Sequence, residues 1–223
     1  MQFEEYTTYF ASLNQQCSEE WHKLRYGRIT MSNISSCTGR SSYFVDKEEL
    51  ARKICGIEKT PTNSYMEHGI LTEPLIRTWY SETLNKPIKE VGLAIWKNDS
   101  RFGGSLDGEI NEEEGIEIKA PNKMYHKLIE YIEAKKKGFS YPSGYHEHVF
   151  NSHYDQMTGN AIITNKKFMH YVVVCTDTQQ AFIQRFPVDY ELWEKELYPK
   201  ACIFYDRFIT PLMKEYNIER IDP

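Results

Sequence analysis

At 223 residues, 40% hydrophobic and 26% charged, the chain is long enough to bury a sizeable core and too ordinary in composition for a disordered, fibrous or membrane-spanning polypeptide. A net charge of −5 speaks against broad, non-specific coating of nucleic acid, yet leaves room for a local basic channel. The five cysteines (Cys17, Cys37, Cys55, Cys175, Cys202) form no C-x-x-C pair, which argues against a disulfide framework and against zinc or an iron–sulfur cluster.

The opening MQFEEYTTYF is acidic and aromatic, so it fits neither a secretory signal nor a basic transit peptide. No apolar run approaches the roughly 18 residues that span a bilayer. An intracellular location, cytoplasm or nucleus, is expected. There is no internal repeat and no low-complexity linker, and the whole chain, 1–223, reads as a single domain. Within it, helices are expected over 1–60, a catalytic core over 61–188 and a helical segment over 189–223.

Ser18 followed by Glu19 and Glu20 is a helix start, and that helix should run through Trp21 and Leu24 to about Gly27. A second helix is expected after Thr30 or Ser32, and a third over Lys47 to Ile54 before Gly56. Ser64 to Leu84 is helical by period, with Met66, Ile70, Ile76 and Tyr80 on one face and Leu75 and Trp79 beside them. Pro74 should bend or restart this helix. Glu90–Trp96, Phe102–Ile110 and Gly115–Ala120 then read as consecutive strands. Helices over 122–135 and 146–163 follow, then strands over 170–175 and 181–188. A long amphipathic stretch from Asp189 to Tyr216 carries Trp193, Leu197, Phe204, Phe208 and Leu212. This order predicts an α/β fold, a central mixed β-sheet flanked by helices.

The densest chemistry lies in G-S-L-D-G at 104–108 and G-I-E-I-K at 115–119. Side chains alternate faces along a strand, so Glu117 and Lys119 point one way and Ile116 and Ile118 the other. Asp107, on the neighbouring strand, can reach the charged face, bringing two carboxylates and an ammonium to one point. That set suits metal-assisted phosphodiester hydrolysis: hard divalent cations take carboxylate oxygens and keep several waters, and a bound water then becomes a nucleophile. Lys119 would orient that water or offset charge in the transition state. Taken singly, E-x-K is commonly a solvated face and D-G a turn.

Three more features point the same way. Glu73 stands in the apolar stripe of the 64–84 helix and needs a partner there, an arginine or a metal. Gln156 lies at the edge of a later helical stripe, where core hydrogen bonding explains such a residue equally well. The run Trp21–Ser32 sets basic residues before hydroxyls at a helix start. Backbone N–H groups with Arg25 and Ser32 would make a phosphate pocket there, and an ordinary capped surface helix is the alternative.

W-H-K-L-R-x-G-x-I-T-x-S at 21–32, G-x-x-x-E at 69–73, S-x-D-G at 105–108, E-I-K at 117–119 and Gln156 stand together in an order that resembles the YqaJ family of viral recombinases. This is the lambda-exonuclease-like branch of the PD-(D/E)XK nuclease superfamily, and the likeness covers roughly residues 18–165. The resemblance implies a restriction-endonuclease-like core and a magnesium-dependent 5′→3′ exonuclease on double-stranded DNA, with manganese able to substitute. The metal ligands would be Asp107, Glu117 and the carbonyl of Ile118, with Glu73 as an outer or second-metal carboxylate, and Lys119 would assist the water. Arg25, Ser32, Ser105 and Gln156 would gather around the terminal 5′-phosphate. It also implies duplex DNA ends as substrate, a homotrimeric ring and a single-strand annealing protein as partner. Leu106 stands where many relatives have proline, at a position that supplies no ligand. Lysines 123, 127 and 135–137 would line a DNA path, although a solvated helix face is the plainer reading. A structure- or sequence-dependent endonuclease of the same fold, on DNA or RNA, and a non-catalytic DNA-end-binding protein are the alternatives.

Overall fold

The computed structural model describes residues 1–41, 46–59, 63–140 and 144–223. Its strands fall into two larger sheets and a small hairpin. The first sheet has the order β1-β2-β4-β5-β3, formed by β1 (Phe3–Glu5), β2 (Tyr9–Ser12), β3 (Ile29–Thr30), β4 (Ala94–Trp96) and β5 (Phe102–Gly104). The second, ordered β11-β10-β7-β6, contains β6 (Gly108–Glu109), β7 (Glu114–Lys119), β10 (Phe168–Cys175) and β11 (Gln180–Pro187). Both are mixed: β3 and β5 run parallel, as do β7 and β10, and the other pairs are antiparallel.

Helices arise where the sequence supplies caps and an apolar face. Ser18 accepts from Trp21 N at the start of α1 (Glu19–Arg25), and Asp46 accepts from Glu48 N and Glu49 N at the start of α3 (Lys47–Ile54). Between them lies α2 (Met31–Thr38), closed by Gly39 in the left-handed conformation, which glycine adopts without a Cβ penalty. The long α4 (Ser64–Leu84) continues through Pro74, which lies on its exposed side. After β7 come α5 (Asn122–Lys136), a hairpin of β8 (Tyr145–His146) and β9 (Val149–Phe150), and α6 (Asn151–Ile163).

The second sheet is covered on both faces. Ile76 and Tyr80 of α4 pack on Ile116, Ile118 and Val172. Tyr125 and Leu128 of α5, and Tyr154 and Met157 of α6, pack with Leu106, Tyr171 and Val173 on the opposite side. The largest core joins α2, α3 and the first sheet to the C-terminal helical run, which buries Trp193, Leu197, Ala201, Tyr205 and Ile209. That run alternates α7 (Tyr190–Leu192), a π turn (Trp193–Leu197), α8 (Tyr198–Phe204), a second π turn (Tyr205–Ile209) and α9 (Thr210–Glu215).

The elements depart from the sequence reading in four places. Residues 1–12, which lie in the segment 1–60 expected to hold helices but given no element of their own, form β1 and β2, because Tyr9–Ala11 find a partner in Trp96–Ala94 that lies far away in sequence. The single strand expected over 102–110 is divided between the two sheets, and Ser105–Asp107 carries the chain across. The helix expected from His146 starts at Asn151, since Glu147 takes a left-handed φ of 51° and closes a hairpin instead. On α4, Met66, Ile70, Leu75 and Trp79 are exposed, and only Ile76 and Tyr80 of the expected stripe are buried. Among the described residues, no helix is long and apolar enough to cross a membrane.

Candidate active site

The site forms where β6 stops short of β7. The ladder between them pairs Gly108 with Ile116 and Glu109 with Gly115, and ends there. Beyond it the N–H of Ile118 has no strand partner and donates to Asp107 Oδ2 at 2.6 Å. The carboxylate therefore does the work of a ladder rung. A strand residue's N–H and C=O leave the same edge, so the carbonyl of Ile118 faces the side that Asp107 occupies.

Alternation on β7 sends Ile116 and Ile118 under α4 and Glu117 and Lys119 toward α5 and α6. There Glu117 is fully buried and accepts from Lys119 Nζ at 2.6 Å through Oε1. Its Oε2 faces Asn160 Nδ2 of α6 at 3.5 Å. Expectation and structure agree that the pair shares a face, but that face is interior, covered by helices. The charges are correspondingly strained. Burial, and then the charge of Glu117, raise Asp107 to about 7. Burial also raises Glu117, against the pull of Lys119. Lys119 itself is held above its usual value: burial opposes its charge, and Glu117 and Asp107 outweigh that.

Glu73 has the partner its setting demanded, Arg77 at 2.6 Å, and Arg77 continues to Glu90 at 2.9 Å. Burial and the charge of Asp107 nevertheless raise Glu73 to about 7, so it feels the cluster electrostatically. Among the described residues, no three His, Cys, Asp or Glu side chains close into a metal cage on their own. The donors that fit a hard cation are Asp107, Glu117 and the Ile118 carbonyl. Such a set suits magnesium, which takes one or two carboxylates and keeps waters for the rest.

A second cluster adjoins the first. Arg25 lies over the Trp21 ring at 4.1 Å from its centroid and donates through Nη2 to Thr30 Oγ1 and Ser32 Oγ, both at 3.1 Å. Trp21 Nε1 donates to Ser105 Oγ at 3.2 Å. Arg25, Ser32 and Ser105 are thus brought together at the start of α2, two residues along the chain from Asp107. Gln156 is tied to them only through the packing of α6 on α2; it is half-buried, one turn before Asn160. Sequence reasoning gave Trp21 and Thr30 no role in the pocket and did not point to the groups behind Glu117. Trp21 stood inside the W-H-K-L-R run, where its spacing from Arg25, one helical turn, was the available signal. Tyr171 is register-paired with Glu117, and its hydroxyl meets His153 Nδ1 at 2.8 Å. His153 is held well below its usual value by burial and by Lys119. No local pattern announces a pairing between strands so far apart in sequence.

A family model for the YqaJ-like viral recombinase domain matches residues 20–167. The chain belongs to that family. Nothing among curated protein sequences matches it. Among solved structures, this YqaJ-like domain is similar to the alkaline exonuclease LHK-Exo from Laribacter hongkongensis. The TM-score is 0.67 and the identity 23%, over 90% of this chain and 98% of that one, and LHK-Exo has also been solved in complex with dAMP. It is similar to a phage-related exonuclease from Haemophilus somnus 129PT, with a TM-score of 0.60 and 14% identity over 86% and 99% of the two chains. A KSHV SOX–RNA complex gives a TM-score of 0.55 and 13% identity over 94% and 73%. The YqaJ-like domain has the mixed α/β architecture of the PD-(D/E)XK nucleases, and the family match ends inside the loop before β10.

Proposed function

We propose that the protein is a magnesium-dependent deoxyribonuclease that degrades double-stranded DNA from 5′ ends, in recombination or replication of a virus, phage or integrated element. The observation that carries this reading is the junction at Ser105–Asp107. Ser105 accepts from Trp21, on whose ring Arg25 lies, and Asp107 accepts from the Ile118 N–H and feels the charges of Glu117 and Lys119. Membership of the family, and the exonucleases among similar folds, support a nuclease.

Asp107, Glu117 and the Ile118 carbonyl would hold the ion, which when bound would polarise a phosphate and acidify a water. The chain's own groups do the rest. Arg25, Ser32 and Ser105 offer a guanidinium and two hydroxyls to a terminal phosphate, and the Trp21 ring keeps the guanidinium in place. Lys119, fully charged beside two carboxylates, is placed to orient a water or to neutralise developing charge. The buried face of β7 keeps bulk solvent from Glu117. Manganese should substitute for magnesium. A homotrimeric ring, a single-strand annealing partner and an intracellular setting complete the same proposal, supported by the family alone.

The test uses linear duplex DNA with one 5′-phosphate and one 5′-hydroxyl end, with magnesium, alongside a circular duplex and Lys119→Ala. Strand loss from the phosphorylated end, an intact circle and an inactive variant are expected. Cutting of the circle would replace this reading with an endonuclease, and binding without cleavage under any divalent metal would replace it with an end-binding module.

A further inference from the structure

Asn160 is a buried amide with one of its two polar atoms unsatisfied. It lies on α6 at 1% exposure. Its Nδ2 donates to the carbonyl of Ser105 at 3.2 Å and faces Glu117 Oε2 at 3.5 Å, while its Oδ1 is buried without a hydrogen-bond partner. A Cβ at Gly104 would sit 2.1 Å from that Oδ1, so the first glycine of G-S-L-D-G is what leaves the amide room. An unpaired buried acceptor costs about 1–3 kcal/mol, and leucine, of the same branching, would fill the space without it. The fold keeps an expensive group here, and its donor points at the two residues on either side of the sheet junction.

We infer that Asn160 is a positioning residue: it sets the rotation of the Glu117 carboxylate and ties it to Ser105, so that the metal-binding carboxylates and the terminal-phosphate pocket are held as one unit. The chain of contacts is continuous. Arg25 stacks on Trp21, Trp21 donates to the Ser105 hydroxyl, Asn160 donates to the Ser105 carbonyl, and the same Nδ2 meets Glu117. Lys119 holds Glu117 Oε1 with a full charge and competes with any cation for it. Asn160 steadies Oε2 with a neutral donor, which orients the carboxylate without opposing a metal. Groups that orient a metal's ligands in this way typically contribute 10–100-fold in metal affinity.

This inference rests on the metal-dependent reading above, and the experiment separates the two. Manganese binding to the full chain without DNA is measured by calorimetry for the wild type, Asn160→Ala and Asn160→Leu, with thermal unfolding of each in EDTA. Both variants should bind manganese at least tenfold more weakly. Asn160→Leu, which keeps the heavy-atom count and the branching, should still unfold cooperatively in EDTA, so that lost affinity cannot be lost folding. The preference for a 5′-phosphate over a 5′-hydroxyl end, read as the ratio of KM values, should shrink in the same variants. Wild-type binding with both folded variants within twofold of it would overturn the role of Asn160 alone. A wild type that binds no manganese would overturn the metal reading and this inference with it.

Discussion

Replacing Asp107 with asparagine removes a charge that the metal-free fold holds at a cost. The unfolded chain ionises this carboxyl near pH 4 (about 3.9), whereas in the folded chain burial and Glu117 raise it to about 7. Between those values the folded state holds the extra proton, so stability falls as pH rises through that window and stays lowered above it. At about 1.4 kcal/mol per pH unit, the gap from 3.8 to about 7 sets a ceiling of about 4 kcal/mol, from which the partial solvent contact of Asp107 subtracts. Asparagine keeps an oxygen for the Ile118 N–H and carries no charge at any pH. Asp107→Asn should therefore gain about 2–3 kcal/mol on the wild type between pH 5 and pH 8 in EDTA. In a chain of this size that is roughly 4–12 °C in Tm. Magnesium at about a thousand times its Kd should reverse the order, because it would stabilise the wild type by about 4.1 kcal/mol and the variant lacks a ligand for it. Thermal unfolding at the two pH values, with EDTA and with magnesium, reads all four conditions. A Tm difference that stays constant with pH in EDTA would refute the account of a charge strained by burial.

Substitutions at three further positions test the site and the packing around it. Gly104→Ala pushes a methyl group to 2.1 Å from Asn160 Oδ1 and should cost about 1–3 kcal/mol by overpacking, with weaker manganese binding by calorimetry as its second mark. Trp21→Phe keeps a ring under Arg25 and removes the donor to Ser105, so KM for 5′-phosphorylated ends should rise a few-fold with kcat nearly unchanged, while Trp21→Ala should raise KM more. Asp222→Ala removes the acid that pairs with Arg28, whose side chain is fully buried. Leu24, Ser100 and Ile221 carbonyls remain for the guanidinium, so the expected cost is about 1–3 kcal/mol in urea unfolding.

What the sequence made legible followed local rules. The alternation of Glu117 and Lys119 against Ile116 and Ile118, the Ser18 cap of α1, and the extents of α3 and α4 rest on neighbours within a few residues, and each stands in the structure. What it hid depended on pairing at long range. Nothing in 102–110 marks the break between β5 and β6, because Gly103 and Gly104 carry no side chains to show a change of partner. Trp21 reaches Ser105 and Asn160 reaches Glu117 across 84 and 43 positions, distances at which spacing says nothing. The face of α4 that its helical period assigned to the core is half exposed for the same reason: its burial depends on where the second sheet ends.

The two π turns of the C-terminal helical run have a consequence in phase. Trp193, Leu197, Ala201, Tyr205, Ile209 and Met213 recur every fourth residue, and all of them meet the core. An α-helix advances about 100° per residue, so a four-residue recurrence drifts about 40° at each step and roughly 200° from Trp193 to Met213. Each π turn admits one extra residue, about 100° of correction, and two of them bring the stripe back into line. The helix is thus a phased strut. At its far end the Tyr205 hydroxyl donates to the carbonyl of Gly27 at 3.0 Å, and the Met213 methyl lies where a Cβ on Gly27 would come within 2.9 Å. Gly27 follows Arg25 by two residues. Winding Trp193–Leu197 as regular α-helix at unchanged length would turn everything beyond it by about 100° and swing Tyr205 off the loop that follows Arg25, a change felt beside the proposed phosphate pocket more than 160 residues upstream in the chain.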